Sequence, residues 1–289
     1  YWGVAQFFKF TPIIWTLSVI MEQLHEFKRY LQSNSLATNT IESYVWTVEH
    51  FFEKHNKVSE NTLLEYKGYL MEKFSPKTVN LRIQGMNKYL VFSGKKELQL
   101  KAVKIQQKNF LENVISNEDY QFLKKKLKAD GNESWYFVVW YLAATGARVS
   151  ELVQIKVEHV NSGYFDLYSK GGKLRRLYIP KKLQKETHEW LNNQERSTGY
   201  LFLNRYGERV STRGISQQLK KFAKKYGLDP KVVYPHSFRH RYAKNFLERF
   251  NDIALLADLM GHESIETTRI YLRRTASEQQ ALVNKIVTW

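Results

Sequence analysis

The 289-residue sequence contains no cysteine, which excludes disulfides and cysteine-ligated zinc and is compatible with a reducing cytoplasm. Its eight histidines show no metal-ligand spacing such as His-Glu-x-x-His, so no structural metal is expected. There is also no bilayer-length apolar run. The stretch Phe7 to Ile20 is shorter than the roughly 20 residues of a spanning helix, Lys9 and Pro12 interrupt it, and no small-residue cleavage site follows. No membrane partner is expected. The sequence begins with Tyr1, and residues 1–20 read as an apolar extension of upstream translated sequence; the alternative is an appendage that packs on a partner or a membrane. Acidic residues are scarce: 28 Asp and Glu stand against 45 Lys and Arg, for a formal charge of +17. Such a surplus favours a polyanion, either nucleic acid or an anionic membrane surface. Residues 21–113 and residues 114–289 are both net positive, as a clamp around DNA needs.

With 43% hydrophobic residues the chain can build two compact domains, each with its own core. From Glu22 to about Phe92 the periodicity is helical. Leu24, Phe27 and Leu31 mark a first helix. Asn39, with Glu42 three residues on, reads as the N-cap of a second that carries Ile41, Tyr44, Val48 and Phe51 on one face. A third runs near Thr62 to Phe74, and Ser75 followed by Pro76 opens a fourth. The expected organisation is an extension over 1–20, a four-helix domain over 21–95, a basic linker over 96–113 and a second domain over 114–289.

In that second domain Ser116, with Asp119 three on, caps a helix, and Trp135 to Leu142 is apolar nearly all round, which marks a buried helix ended by Gly146. Arg148 stands at the junction with the next helix, where Glu151, one turn later, can orient it; a purely structural Arg–Glu pair has the same spacing. The period then falls to two in Tyr164–Tyr168 and Leu174–Ile179, which flank Ser169-Lys170-Gly171-Gly172-Lys173 as a β-hairpin with Lys170 at its tip. Leu201-Phe202-Leu203 is strand-like, and Leu282, Val283, Ile286 and Val287 recur at helical spacing in the tail. The fold class is mainly α with a small β-hairpin, the second domain being α+β.

The chemistry concentrates between His236 and Tyr271. His236 and Arg239 are one helical turn apart and share a face, and Tyr271 follows His262 by nine residues, close enough for a short helix to return it to the same cleft. Arg offers a planar fork to two phosphate oxygens, His moves a proton near neutral pH, and a phenol is the obvious nucleophile in a chain without thiols. Singly, a His or Tyr is more often a packing or surface residue; together these residues describe a site that grips and attacks a phosphate.

In this combination the sequence resembles the tyrosine recombinase (integrase) family, most closely its Xer-like branch, from about residue 22 to the C-terminus. The family's Arg, Lys, His-x-x-Arg, Gly-His and Tyr fall on Arg148, Lys170, His236, Arg239, His262 and Tyr271. The departures are Arg241 after His240, and Leu272-Arg273 after the tyrosine. The resemblance implies an N-terminal four-helix core-binding domain and a catalytic domain with a C-terminal exchange helix. It also implies a 3′-phosphotyrosyl intermediate formed by Tyr271 without any cofactor. Arg148 and Arg239 would stabilise the transition state, Lys170 would protonate the leaving 5′-oxygen, His236 would assist proton transfer and His262 would bond a non-bridging oxygen, with Glu151 behind Arg148. Lys77, Arg82 and Lys88 in the first domain, and Lys173, Arg175 and Arg176 on the hairpin, become candidates for phosphate contact. Double-stranded DNA and a homotetramer on two sites are the expected partners, with an accessory recombinase or directionality factor left open and a cytoplasmic, nucleoid-associated location. Two other functions fit parts of this pattern: a type IB topoisomerase that religates the same strand, and a DNA-binding protein that keeps the fold without activity.

Overall fold

The computed structural model describes residues 11–105, 112–168, 174–262, 264–272 and 276–287, with 11–19 and 276–279 described by backbone alone. The chain divides into two compact units, Tyr1–Gln107 and Lys108–Trp289.

The first unit is built from α1 (Thr11–Ser33), α2 (Thr38–Phe52), α3 (Glu60–Lys73) and α4 (Pro76–Phe92). Phe27, Leu31, Val48, Phe51, Tyr66, Leu70, Met86 and Leu90 form its core, and the larger of these side chains each stabilise it by about 1.5–3 kcal/mol on burial. Ser75 accepts a hydrogen bond from the Thr78 N–H and Pro76 opens α4, the start signal the sequence carried. Asn39 is not a cap. Helix α2 starts before it, with Ala37 at the N-cap and no side-chain bond. Helix α1 starts at Thr11, inside the segment read as an extension, and continues through Met21 without a break.

Two further expectations change here. Arg82 is not an exposed cation: its Nη1 donates to Ser43 O, Ser43 Oγ and Thr47 Oγ1, and its guanidinium lies 4.0 Å from the centre of the Trp46 ring. The cause is its position on the stripe that includes Val79 and Met86. Lys77 and Lys88 are exposed. The first half of the stretch read as a linker is fastened to α4. Asn87 and Leu100 exchange two hydrogen bonds of 2.9 and 2.8 Å, and Asn80 and Val103 exchange two of 3.0 and 2.8 Å. Residues 106–111 of that stretch lie outside the described residues.

In the second unit, α5 (Asn117–Ala129) is capped by Ser116, whose Oγ accepts from Asp119 N at 3.0 Å. Helix α6 (Glu133–Thr145) is buried around most of its circumference. After it come α7 (Val149–Leu152), α8 (Val157–Ser162), β1 (Tyr164–Tyr168) and β2 (Leu174–Tyr178). The strands pair antiparallel, with Asp166 opposite Arg176 and Leu167 opposite Arg175. The hairpin tip, with Lys170 and Lys173, lies outside the described residues. Helices α9 (Lys181–Asn192) and α10 (Thr212–Lys225) follow; between them the run at Leu201 forms no strand, only isolated bridges Lys156↔Tyr200 and Leu203↔Arg209. The chain then forms α11 (Pro235–Phe250), α12 (Ile253–Met260), α13 (Ile265–Arg269), a 3-10 turn at Ile270–Leu272 and α14 (Ala276–Ile286). Among the described residues, no helix is long and apolar enough to cross a membrane, and no group of His, Asp and Glu is placed to hold a metal ion.

Candidate active site

Arg148 owes its place to a glycine. Helix α6 ends at Gly146 with φ +64°, and a Cβ at this position would fall within 3.0 Å of the Tyr242 ring, so both conformation and space call for glycine. The chain then reverses into α7, with Arg148 at its N-cap. Glu151 fastens it there, accepting from Arg148 N at 2.7 Å and from Arg148 Nη1 at 2.8 Å. Arg148 Nη2 donates to Gly261 O at 3.1 Å, which leaves the side chain 40% exposed at the cleft. Burial alone would raise the Glu151 carboxyl. The Arg175 charge, together with hydrogen bonds from Arg148 and Arg175, outweighs that and holds it below the ordinary carboxylate value.

Arg239, on the second turn of α11, is 1% exposed and bound to backbone: Nη1 donates to Gly146 O and Nη2 to Met260 O at 2.7 Å. Desolvation, then the charges of Arg148 and Arg175, lower its pKa to about 10, and it remains a cation at neutral pH. Its Nη2 also lies 3.1 Å from His262 Nε2. Arginine only donates, so Nε2 accepts and the His262 proton resides on Nδ1, which faces Thr268 Oγ1 at 2.8 Å. Desolvation and the surrounding arginines push His262 down to about 4. His262 is therefore a neutral imidazole in the resting site.

His236 begins the same helix and presents an exposed edge, while desolvation and the Arg239 and Arg148 charges hold it below 6.5. His240, one turn on, lies edge-to-face with His236 at 4.7 Å between centroids and 5.3 Å from the Tyr271 ring; its buried Nδ1 has no partner among the described residues, and burial drives it to about 4. Tyr271 itself is 5% exposed. It belongs to a small apolar cluster with Ala243, Leu247, Leu256 and Met260, and its ring stacks on His262 at 6.2 Å. Burial raises the phenol pKa, opposed by the Arg239 charge and hydrogen bond and by Arg148.

The structure thus brings Arg148, His236, Arg239, His262 and Tyr271 together. A cleft of about 930 Å³ is lined by Arg148, Glu151, Arg175, Gly261 and His262, with Phe165, Leu167 and Leu174 of the hairpin; Arg239 and Tyr271 are packed behind it. Of the hairpin candidates, Arg176 pairs with Asp166 at 2.7 and 2.8 Å and lies over the Tyr164 ring. Arg175 is not an exposed phosphate contact. It is 8% exposed and donates to Glu151 Oε1 at 2.7 Å and to Leu259 O at 2.8 Å, because strand alternation puts it on the same inward face as Leu177. The sequence reading passed over Thr268, His240 and Ser237, whose buried Oγ accepts from Ile115 N at 2.8 Å. For Ser237 the signal was its place between His236 and Phe238 on a helix whose opposite face must be buried.

Residues 113–278 match the phage integrase family. Tyrosine recombinase XerA of Pyrococcus furiosus is 30% identical over 271 residues, covering 91% of this chain and 93% of the relative. Two solved structures share the fold. The XerH site-specific recombinase bound to difH substrate in a pre-cleavage complex has a TM-score of 0.69 at 18% identity, covering 91% of this chain and 95% of its own. The Tn1549 transposon integrase in complex with circular intermediate DNA has a TM-score of 0.69 at 15% identity, covering 92% and 99%. The chain belongs to the phage integrase family of tyrosine recombinases. Within that family it is Xer-like, and its activity is site-specific DNA recombination, in preference to topoisomerase action or binding without catalysis.

Proposed function

We propose that this recombinase cleaves double-stranded DNA through a covalent 3′-phosphotyrosyl bond to Tyr271. The phenol oxygen attacks the phosphorus, the 5′-oxygen leaves with a proton from Lys170, and the freed 5′-hydroxyl of a partner duplex later reverses the step. No external energy source is needed, since the phosphotyrosyl bond conserves the phosphodiester. Arg148 and Arg239 bear the extra negative charge of the pentacoordinate state. His236 carries the phenol proton away, its neutral imidazole being a competent base near pH 7. His262 bonds a non-bridging oxygen, and Glu151 keeps Arg148 in place. The observation that carries this reading is the convergence of two guanidinium groups, one open to the cleft and one buried, on a tyrosine held between two imidazoles.

The unit built from α1 to α4 serves as the core-binding domain and the unit built from α5 to α14 as the catalytic domain. Lys77 and Lys88, both exposed, contact backbone phosphates; so do Lys173 and Arg176, the latter by exchanging Asp166 for a phosphate. Strand exchange proceeds in a homotetramer on two sites. The exposed Val283 and Ile286 of α14 and Val287 just after it, at 52%, 62% and 44%, are the apolar face that docks on a neighbouring protomer.

A nicked suicide substrate tests the central step. Tyr271→Phe should bind DNA as the parent does and form no covalent adduct on a denaturing gel; an adduct with the Phe variant removes Tyr271 from the role.

A further inference from the structure

We infer that Arg175 is a positioning residue that sets the guanidinium of Arg148. Arg148 has two fixed acceptors, the Glu151 carboxylate and the Gly261 carbonyl. Arg175 holds both. Its Nη1 donates to the same Glu151 Oε1 that receives Arg148 Nη1, and its Nε donates to Leu259 O, in the turn that presents the Gly261 carbonyl. The stem of Arg175 runs directly beneath that turn, so that a Cβ on Gly261, where φ is +62°, would fall within 3.0 Å of Arg175 Cδ. Carboxylate and turn are therefore referenced to one side chain on β2. Lysine cannot replace it, because a single ammonium lacks the fork that spans two acceptors in different directions.

The energetics point the same way. Arg175 is 8% exposed, and its Nη2 is buried without a partner among the described residues. Burying a cation with one nitrogen unpaired is costly, and an apolar side chain of similar volume often gives equal or greater stability. What such a chain cannot supply is direction: it would leave Glu151 answering to Arg148 alone and the turn with one anchor fewer.

This inference rests on the proposed role of Arg148 at the scissile phosphate. The test is single-turnover cleavage of a suicide substrate with either a normal phosphodiester or a methylphosphonate at the scissile position. The methylphosphonate carries one negative charge less throughout the reaction and depends less on a guanidinium. Arg175→Met should cleave the diester roughly 10- to 100-fold slower, the scale of a misplaced catalytic group, with DNA affinity near that of the parent. On the methylphosphonate its deficit should shrink in parallel with that of Arg148→Ala, and the double variant should be no slower than Arg148→Ala alone. Arg175→Lys is carried alongside, so that a poorly folded Met variant does not decide the matter. If Arg148→Ala is rescued while both Arg175 variants lose the same factor on both linkages, Arg175 only supports the fold and the inference falls. An Arg175 pair with no deficit on the diester overturns it equally. If Arg148→Ala itself is not rescued, the reading of the site fails first and the inference falls with it.

Discussion

The two walls of the catalytic cleft are built on opposite plans. One wall, from α7 and the hairpin, is polar and open. Arg148 is 40% exposed and is held by an ion pair with Glu151, itself held by Arg175. The other, from α11 to the 3-10 turn, is aromatic and closed, with Arg239 1% exposed on backbone carbonyls and Tyr271 5% exposed in a small apolar cluster. A cation can be displayed ready to use because a nearby carboxylate fixes its direction. The phenol of Tyr271 is held instead by packing and by its hydrogen bond with the buried Arg239, out of the cleft lining. Arg148 is thus open to the cleft, whereas Tyr271 is packed away from it.

The largest effect should come from breaking the closed wall. Arg239→Ala removes charge from the proposed transition state and also leaves the Gly146 and Met260 carbonyls without donors, at about 1–3 kcal/mol for each buried group. Cleavage should fall more than about 10³-fold, and the melting temperature should drop by roughly 2–4 °C per kcal/mol lost. Arg148→Ala removes an exposed end from the open wall. It should cost about 10²–10³ in cleavage with almost no change in melting temperature. Equal thermal losses for the two variants would mean that the walls do not differ as described.

A sharper test uses the hairpin side. Lys170→Ala should cleave ordinary DNA poorly and a 5′-bridging-thio substrate nearly as fast as the parent, because sulfur leaves without a proton; Arg148→Ala should stay defective on both. Rescue of Lys173→Ala instead would move the acid to the later lysine.

The smallest effect concerns pH. His240 and His262 are held at about 4 in the fold, against 6.5 for a solvated imidazole. As pH falls, the unfolded chain takes up protons first, so stability that is complete above about pH 6.5 is lost progressively toward pH 4. Thermal melting of the parent should decline over this window, and His240→Gln should decline less steeply; parallel curves would show that His240 is not buried neutral.

Much of this was legible in the sequence, and where it was not, a physical reason can be named. Ser75-Pro76 and Ser116 announce helix starts because capping is local chemistry. Asn39 failed as a cap because a helix can begin without a side-chain cap when its packed face already fixes it, as α2 does from Ala37. Arg82 and Arg175 read as surface because arginine usually is. Periodicity argued otherwise in both cases: Arg82 lies three residues after Val79 and four before Met86, and Arg175 lies two before Leu177 on a strand. Asn80 and Asn87, seven apart, face one side of α4, but nothing local says that Val103 and Leu100 will meet them. The hydrogen bond between His262 and Thr268 likewise depends on a turn that spacing alone does not fix.

The contact between Gly261 and Arg175 makes the order of mutation matter. While Arg175 is in place, any side chain at 261 meets both a left-handed backbone and an occupied volume. If Arg175 is shortened first, only the backbone cost of about 1–2 kcal/mol remains. Each position thus sets what the other can become: a side chain at 261 is closed off sterically while Arg175 stands, and it opens only after a change at 175 that carries its own loss in cleavage.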